Sequence, residues 1–296
     1  MCSASPAAIA AIGEGLRMAY SECRTQLSGH RWNCSGVGDG DHFGHHMPLA
    51  TREAAFTYAL TSAGVAHALS AACARGDLPA CRCTPNRRRT STADQFELAG
   101  CGSNAYGSRF ARRFLDAREL DNDARSLMNL HNNRVGRKAV KELVHRACKC
   151  HGVSGSCAVR TCWQVLPAFA QVARALRGRY QRARRVEAPP GADGLVVRKS
   201  RHSEVPARAP RKSELVFLEP SPSYCEPDAA AGSLGTHGRH CNRTSRGEDG
   251  CESLCCGRGY STVRAAVDEK CRCRFHWCCR VTCDVCRTLT ETHVCN

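Results

Sequence analysis

Cysteine constrains this chain more than any other residue, because it makes up 23 of the 296 residues. A share of about 8% approaches that of scaffolds held together by disulfides. A reducing cytosol does not keep so many thiols paired, so the composition predicts a secreted protein of the extracellular space. No apolar run is long enough to cross a membrane, and no secretory leader is visible. We therefore expect a mature chain or one truncated at its N-terminus.

The cysteines fall into two blocks, which predicts two domains. Residues 1–162 hold 11 cysteines, residues 163–224 hold none, and residues 225–296 hold 12. We expect a helical N-terminal domain over 1–186, an exposed linker over 187–213 and a cysteine-rich C-terminal domain over 214–296. The first block is odd, so one of its cysteines lacks a partner within the block. We expect the unpaired residue to be Cys2, which lies nearest the start of the chain.

The gap between the blocks is the most basic part of the chain. Residues 177–212 hold 11 basic and three acidic residues, and their net charge of +8 is half of the total of +16. Prolines break regular structure there, which favours an exposed linker. Nucleic-acid binding needs stacking aromatics, and this stretch has only Tyr180. We therefore expect this stretch to bind heparan sulfate in the extracellular matrix, and we expect no nucleic-acid partner. The alternative is a surface that is only solvated.

Apolar spacing predicts four helices before the gap. The first begins at Ser5-Pro6, the second is capped by Thr51, and the third lies within 127–144. The fourth has the clearest helical spacing, in Phe169, Val172, Ala173, Leu176 and Tyr180. After the gap, residues 214–218 favour a strand, and the dense cysteines beyond it favour short bridged hairpins. The predicted fold is therefore disulfide-rich α+β, with an N-terminal helical bundle and a small, cysteine-knot-like C-terminal domain of β-hairpins.

The segment 148–162, here called the first hairpin, is the most informative motif. An outer bridge between Cys148 and Cys162 and an inner bridge between Cys150 and Cys157 would pin it. Glycines in the tip permit a sharp turn. The tip would present Ser154, with Val153 as its only bulky neighbour. A zinc knuckle and a plain stapled loop are the alternatives. A catalytic serine lacks support, because neither G-x-S-x-G nor S-x-x-K is present.

With this segment the chain resembles the Wnt family of secreted signalling proteins. The motifs that carry the resemblance are CKCHGVSGSC (148–157), HRWNCS (30–35), MNLHNNRVGRKA (128–139), SPSYCEP (221–227), GCESLCCGRGY (250–260) and CRCRFHWCCRVTCDVC (271–286). The chain departs from the family in two places. Tryptophans common ahead of the cysteine that matches Cys101 are missing, and Arg280 stands where an aromatic residue is common after FHWCC.

The resemblance implies a developmental ligand that directs cell fate and is not an enzyme. Ser154 would carry a monounsaturated fatty acyl ester, added by a membrane O-acyltransferase, and the lipid would require an export carrier. No other cofactor and no metal is implied. The partners would be the cysteine-rich domain of a Frizzled-type receptor, an LRP-type co-receptor and heparan sulfate.

The segment 271–286, here called the second hairpin, would make the other receptor contact. Phe275, Trp277 and Val281 give it an apolar tip, and by resemblance the vicinal Cys278 and Cys279 bond to each other. Receptor contact would then involve both hairpin tips, including Val153 and Ser154. The alternative is that these apolar residues form a small core, but a bridge-rich domain needs little core.

The resemblance also implies the remaining covalent features. The implied bridges are Cys23–Cys34, Cys73–Cys81, Cys83–Cys101, Cys225–Cys256, Cys241–Cys251, Cys255–Cys295, Cys271–Cys286 and Cys273–Cys283. Two glycosylation sequons begin at Asn33 and Asn242.

Two rival functions remain open at the level of sequence. One is a secreted cysteine-rich hydrolase that uses Ser154 or a histidine, although no Ser/His/Asp signature is readable. The other is an intracellular protein that binds zinc and nucleic acid, which bound metal and free thiols would reveal.

Overall fold

The computed structural model describes most of the chain: residues 6–35, 47, 49–81, 84–85, 96–99, 101–102, 104–119, 123–189, 194–198, 208–229 and 231–296. Three predictions fall outside these residues. They are the unpaired Cys2, the bridge Cys83–Cys101, of which only the backbone of Cys101 is described, and the middle of the predicted linker.

The described residues form an α+β structure, which confirms the predicted fold class. The helices are α1 (Pro6–Gln26), α2 (Arg52–Arg75), α3 (Asn104–Leu115), α4 (Ala124–Leu143), α5 (Phe169–Gln181) and α6 (Cys251–Leu254). The strands are β1 (Thr84–Pro85), β2 (Phe96–Ala99), β3 (Cys101–Gly102), β4 (His145–Cys150), β5 (Val159–Val165), β6 (Arg184–Glu187), β7 (Val196–Val197), β8 (Val216–Phe217), β9 (Pro227–Asp228), β10 (Ser233–Leu234), β11 (His240–Cys241), β12 (Tyr260–His276) and β13 (Arg280–Cys295). Four of the five long helices lie where apolar spacing predicts them, and α3 was not predicted.

The chain divides into two units. The helical unit comprises Met1–Gln26 and Gly36–Pro222, and the cysteine-rich unit comprises Leu27–Ser35 and Ser223–Asn296. This division differs from the predicted one at two places. The segment 27–35 belongs to the cysteine-rich unit, and the segment 214–218 belongs to the helical unit.

Helix α2 lies at the centre of the helical unit and is buried along most of its length. Three neighbouring helices approach it through glycines. A Cβ on Gly15 of α1 would lie 2.5 Å from the Gly64 carbonyl oxygen, and one on Gly136 of α4 would lie 1.9 Å from the Ala59 carbonyl oxygen. Gly107 of α3 makes a similar approach to α2. The small residues of α2 therefore let the helix backbones come into contact.

Helix α5 buries the face that its sequence predicts, namely Phe169, Val172, Ala173, Leu176 and Tyr180. The Tyr180 hydroxyl donates a hydrogen bond of 2.9 Å to Glu53 Oε1, in the first turn of α2. The Ser221 hydroxyl donates to the other oxygen of the same carboxylate at 2.6 Å. Both oxygens of the buried Glu53 are therefore bonded, as a buried carboxylate requires.

The predicted exposed linker is partly folded into the helical unit. Strands β7, β6 and β8 form a sheet, and Val186, Leu195 and Val216 share a buried cluster. Asn132 of α4 donates to the Val216 carbonyl at 2.9 Å and accepts from the Val216 amide at 3.0 Å. This buried side chain pairs with β8 as a neighbouring strand would. The segment 214–218 was expected in the C-terminal domain. These contacts place it in the helical unit instead.

The cysteine-rich unit holds the motif HRWNCS at 30–35. Arg31 donates two hydrogen bonds to the Ser253 carbonyl, at 3.0 and 2.8 Å. Arg239 donates to the carbonyls of Ser28, His30 and Arg31. Two guanidinium groups thus fix this segment to residues more than 200 positions away. No local pattern in the sequence could have indicated that pairing.

The expectation of short hairpins after the gap is wrong for the end of the chain. Strands β12 and β13 pair from Tyr260 opposite Cys295 to His276 opposite Arg280, with one irregularity between Cys271 and Arg274. The bridges Cys271–Cys286 and Cys273–Cys283 cross this ribbon. Cross-strand bridges hold a long exposed ribbon together without a core beneath it.

Candidate functional site

The first hairpin lies in the antiparallel pair β4–β5. Cys148 lies directly opposite Cys162 in the register, and these two residues form the outer bridge. Cys150 and Cys157 form the inner bridge, next to the turn. Because all four sulfurs are used in bridges, the zinc knuckle considered from the sequence does not fit this segment.

The tip of the first hairpin is a tight turn at Val153–Gly155. Ser154 has φ 60° and ψ 25°, which lies in the left-handed region. A Cβ on Gly152 would lie 2.5 Å from the Ser156 carbonyl oxygen, so only glycine fits at 152. The Gly152 amide donates to that same oxygen at 2.9 Å, and this bond closes the turn. The sequence therefore folds here into one defined tip.

The tip presents its side chains to solvent. Val153 is 90% exposed, and Ser154 is also exposed. His151, the histidine nearest in sequence, shares a hydrogen bond of 2.9 Å between its Nε2 and Thr161 Oγ1. The imidazole of His151 is therefore hydrogen-bonded to a residue of β5 and not to Ser154. The arrangement offers an accessible hydroxyl on a rigid support, and it does not form a nucleophile–base pair of the kind a hydrolase uses.

The tip of the second hairpin is also exposed. Trp277 is 91% exposed, Phe275 is 69% exposed and Val281 is 58% exposed. The alternative that these three side chains form a small core therefore does not hold. The core of the cysteine-rich unit lies elsewhere, around Cys251, Leu254, Cys255 and Cys295.

The structure departs from the resemblance at the vicinal cysteines. Cys278 and Cys279 are free and exposed, where a bond between them was expected. Both adopt positive φ, 76° and 70°, within the turn that joins β12 to β13. Consecutive Cα atoms across a trans peptide lie about 3.8 Å apart. This spacing is shorter than the roughly 4.4–6.8 Å usual for a disulfide, which disfavours a bond between neighbours.

The other cysteines whose side chains the structure describes are in bridges. The pairs Cys73–Cys81, Cys225–Cys256, Cys241–Cys251 and Cys255–Cys295 are present, and Cys23 and Cys34 are each disulfide-bonded. Within the described part of the chain, one group of cysteines has sulfurs close enough to hold a metal ion. It consists of Cys241, Cys255 and Cys295. All three sulfurs belong to bridges, so they are not available as thiolate ligands.

The two sequons differ in exposure. Asn242 is exposed, and its Oδ1 accepts hydrogen bonds from the Thr244 amide at 3.0 Å and from the Thr244 hydroxyl at 2.9 Å. Asn33 is half-buried, and its Oδ1 accepts from the Ser35 amide at 3.2 Å. Both side chains thus lie beside the hydroxyl residue of their own sequon.

Of the basic residues in 177–212, those that the structure describes are mostly exposed. Arg184 and Arg185 of β6 are both exposed, and Arg211 and Lys212 are exposed in the loop before β8. Arg208 differs, because its guanidinium bonds both oxygens of Glu214, at 2.9 and 2.8 Å. The charge available to a polyanion therefore lies mainly on the unpaired residues.

No helix among the described residues combines the length and apolarity that crossing a membrane requires. The chain was compared with known families, proteins and structures. A sequence model described as the Wnt family matches residues 1–296. Protein Wnt-2 of Drosophila melanogaster is 46% identical over 310 residues, covering 100% of this chain and 88% of that protein. Protein Wnt-2b of Homo sapiens is 47% identical over 301 residues, covering 100% of this chain and 75% of that protein.

A solved structure of human WLS in complex with WNT8A contains a similar chain. The two chains are 32% identical with a TM-score of 0.69, over 97% of this chain and 93% of that one. The family resemblance read from the cysteine-spaced motifs is thereby confirmed. The chain belongs to the Wnt family of secreted signalling ligands, and it is not an enzyme.

Proposed function

We propose that this chain is a lipid-modified ligand that binds the cysteine-rich domain of a Frizzled-type receptor through its two hairpin tips. The observation that carries the proposal is the placement of Ser154 at the exposed apex of a doubly bridged turn. A membrane O-acyltransferase needs such a hydroxyl, because the acceptor must enter the enzyme without unfolding the rest of the chain.

A fatty acyl ester on Ser154 would supply a large part of the binding free energy. Burying an acyl chain contributes about 0.8 kcal/mol per methylene before ordering costs. The bridged tip is ordered before binding, so little backbone entropy is lost when the lipid docks. Val153, 90% exposed beside the acylated residue, would add apolar contact at the mouth of the receptor groove.

The second hairpin would make an independent contact. Trp277 and Phe275 are exposed on a ribbon crossed by two bridges. Exposed tryptophan on a rigid support is typical of residues that anchor interfaces. Cys278 and Cys279 hold the turn beside Trp277 through their left-handed conformations, and Val281 completes the apolar side of the tip.

A lipidated chain requires a carrier in water, and we include an export carrier among the proposed partners. The similarity to WNT8A, which was solved in complex with human WLS, supports a carrier of the WLS kind. An LRP-type co-receptor is proposed from the family resemblance alone. Heparan sulfate is proposed for the exposed basic residues of 177–212, which would retain the ligand in the extracellular matrix. Glycosylation is proposed at Asn33 and Asn242.

Replacing Ser154 by alanine tests the acyl site. Ser154→Ala removes the hydroxyl and leaves an L-residue at the same positive φ, so the fold should be unaffected. We expect loss of metabolic labelling with an alkynyl fatty acid, poor secretion and no receptor activation. The matched control is Ser156→Ala, an exposed serine two residues away with φ −62°. It should be acylated and active.

Full receptor activation by Ser154→Ala at the wild-type dose would contradict the proposal. Equal loss in both variants would show that the tip is sensitive to any substitution, and the acyl assignment would then fail.

A further inference from the structure

The tip of the second hairpin has two faces of different chemistry. In the register of β12 and β13, Phe275 lies opposite Val281, and His276 lies opposite Arg280. Side chains alternate between the faces of a strand, and directly opposed residues share a face. Phe275 and Val281 therefore lie on one face. Arg274, His276 and Arg280 lie on the other.

The part of the ribbon outside the second hairpin is electrostatically balanced. Arg264 pairs with Glu291 at 2.8 Å across the strands, and Arg287 pairs with Asp268 at 2.9 Å. Each arginine there faces an acid on the opposite strand. This half of the ribbon thus presents neutralised pairs to any partner.

The tip is different. Arg272, Arg274 and Arg280 are all exposed, and none of them forms an ion pair with any residue in the described part of the chain. Three unpaired guanidinium groups within nine residues repel one another, which costs stability unless a partner supplies negative charge. The contrast with the paired arginines shows that this is a local feature of the tip and not of the ribbon as a whole.

We propose that the tip of the second hairpin selects its partner by charge as well as by apolar contact. Its binding site is an apolar pocket, which receives Trp277 and Phe275, bordered on one side by carboxylates, which face Arg274 and Arg280. The proposal rests on the receptor contact proposed above and specifies which receptor surfaces fit.

A protein surface suits this arrangement better than a lipid surface does. Aromatic and cationic side chains on opposite faces of a ribbon fit a cleft whose two walls differ in chemistry. A lipid bilayer meets both kinds of side chain from one side. In addition, Cys271–Cys286 and Cys273–Cys283 fix the tip before binding, which favours a preformed partner.

The test compares two doubly substituted full-length ligands with the same change in net charge. Arg274→Gln with Arg280→Gln removes two of the three unpaired tip cations, and Arg264→Gln with Arg287→Gln removes the two paired ones. Binding is measured against a panel of isolated Frizzled-type cysteine-rich domains at low and physiological salt. Charges at the rim of an interface act mainly on association, so the tip variant should associate about tenfold more slowly at low salt. The association rate of the tip variant should also depend less on salt than that of wild type. The association rate of the control variant should stay within about twofold of wild type.

Equal effects of the two variants on every receptor domain would overturn the proposal and leave the receptor contact intact. A wild-type ligand that binds none of the domains would overturn both. The same proteins are tested on phosphatidylserine-containing vesicles. Loss of vesicle binding by the tip variant, with unchanged receptor binding, would assign the tip cations to a membrane and overturn the proposal.

Discussion

At the scale of single residues, the close packing of α1 and α2 depends on two glycines that lack a Cβ atom. Gly15 and Gly64 face each other, and a Cβ on either would lie within 2.5 Å of the other residue's carbonyl oxygen. Neither backbone can move without displacing a whole helix. Gly13, on the same helix, has only the far end of the Arg17 side chain near it, at 3.9 Å.

These two glycines give a matched prediction. Gly15→Ala should destabilise the protein by about 1–3 kcal/mol through overpacking. Gly13→Ala should stabilise it by up to about 1 kcal/mol, because alanine loses less backbone entropy in a helix. Chemical unfolding of the two purified variants measures both. Similar stabilities would show that α1 and α2 are not in backbone contact.

Because two half-buried histidines have lowered pKa values, we expect the protein to lose stability in acid. Burial lowers the pKa of His67 below its ordinary value of 6.5, although its contact with the Pro167 carbonyl and the charge of Glu14 act the other way. Burial also lowers the pKa of His131, opposed by its contact with the Glu214 carbonyl. Folding therefore favours the neutral form of both imidazoles.

Because the folded pKa values are lowered, the unfolded chain binds protons that the folded chain does not as the pH falls below about 6.5. Melting temperature should therefore fall between about pH 7.5 and about pH 5.5. His131→Gln, which keeps a donor for the Glu214 carbonyl, should reduce this difference. The control is the exposed His145→Gln, which should not change it. A pH dependence unaltered by His131→Gln would remove His131 from the explanation.

At the scale of elements, the second hairpin places an exposed tryptophan at its tip, where we propose that it contacts the receptor. Trp277→Ala should leave folding, bridges and acylation intact, because the side chain is 91% exposed. Truncating an anchoring tryptophan at an interface costs about 2 kcal/mol. This cost corresponds to a roughly thirtyfold loss of affinity for the isolated receptor domain.

The control for Trp277 is Leu289→Ala. Leu289 is 79% exposed on the same ribbon, away from the tip. Leu289→Ala also removes exposed apolar surface and should leave the affinity for the isolated receptor domain unchanged. Normal affinity of the Trp277 variant would remove Trp277 from the proposed receptor contact.

Helices were predictable from the sequence where their apolar spacing was clear. Helix α5 matches its predicted face residue for residue, and Thr51 accepts from the Ala54 amide as the expected N-cap. Helix α3 was missed, although Tyr106, Phe110 and Phe114 recur at four-residue spacing and pack on a buried cluster. Its glycine and three arginines obscured that signal.

At the scale of the whole molecule, the basic charge predicts retention on heparin. Replacing Arg184, Arg185, Arg198, Lys199, Arg211 and Lys212 by glutamine should lower the salt needed for elution from heparin more than it lowers receptor affinity. The control is Arg208→Gln, because Glu214 already neutralises that guanidinium. Unchanged elution of the six-site variant would place the polyanion site elsewhere.

The sequence alone determined the features that depend on neighbouring residues: the cysteine blocks, the positions of four helices, the buried face of α5, and the glycine-containing tip that presents Ser154. The tertiary structure decided features that depend on residues far apart. Arg239 and Arg31 place 27–35 in the cysteine-rich unit, and Asn132 draws 214–218 into the helical unit. The pairing of Arg264 with Glu291, and the lack of an acid opposite Arg280, also emerged only from strand register. The spacing of apolar residues along a segment indicates whether that segment is a helix or a strand. It does not indicate which other segments the element packs against, because those contacts join residues far apart in the sequence.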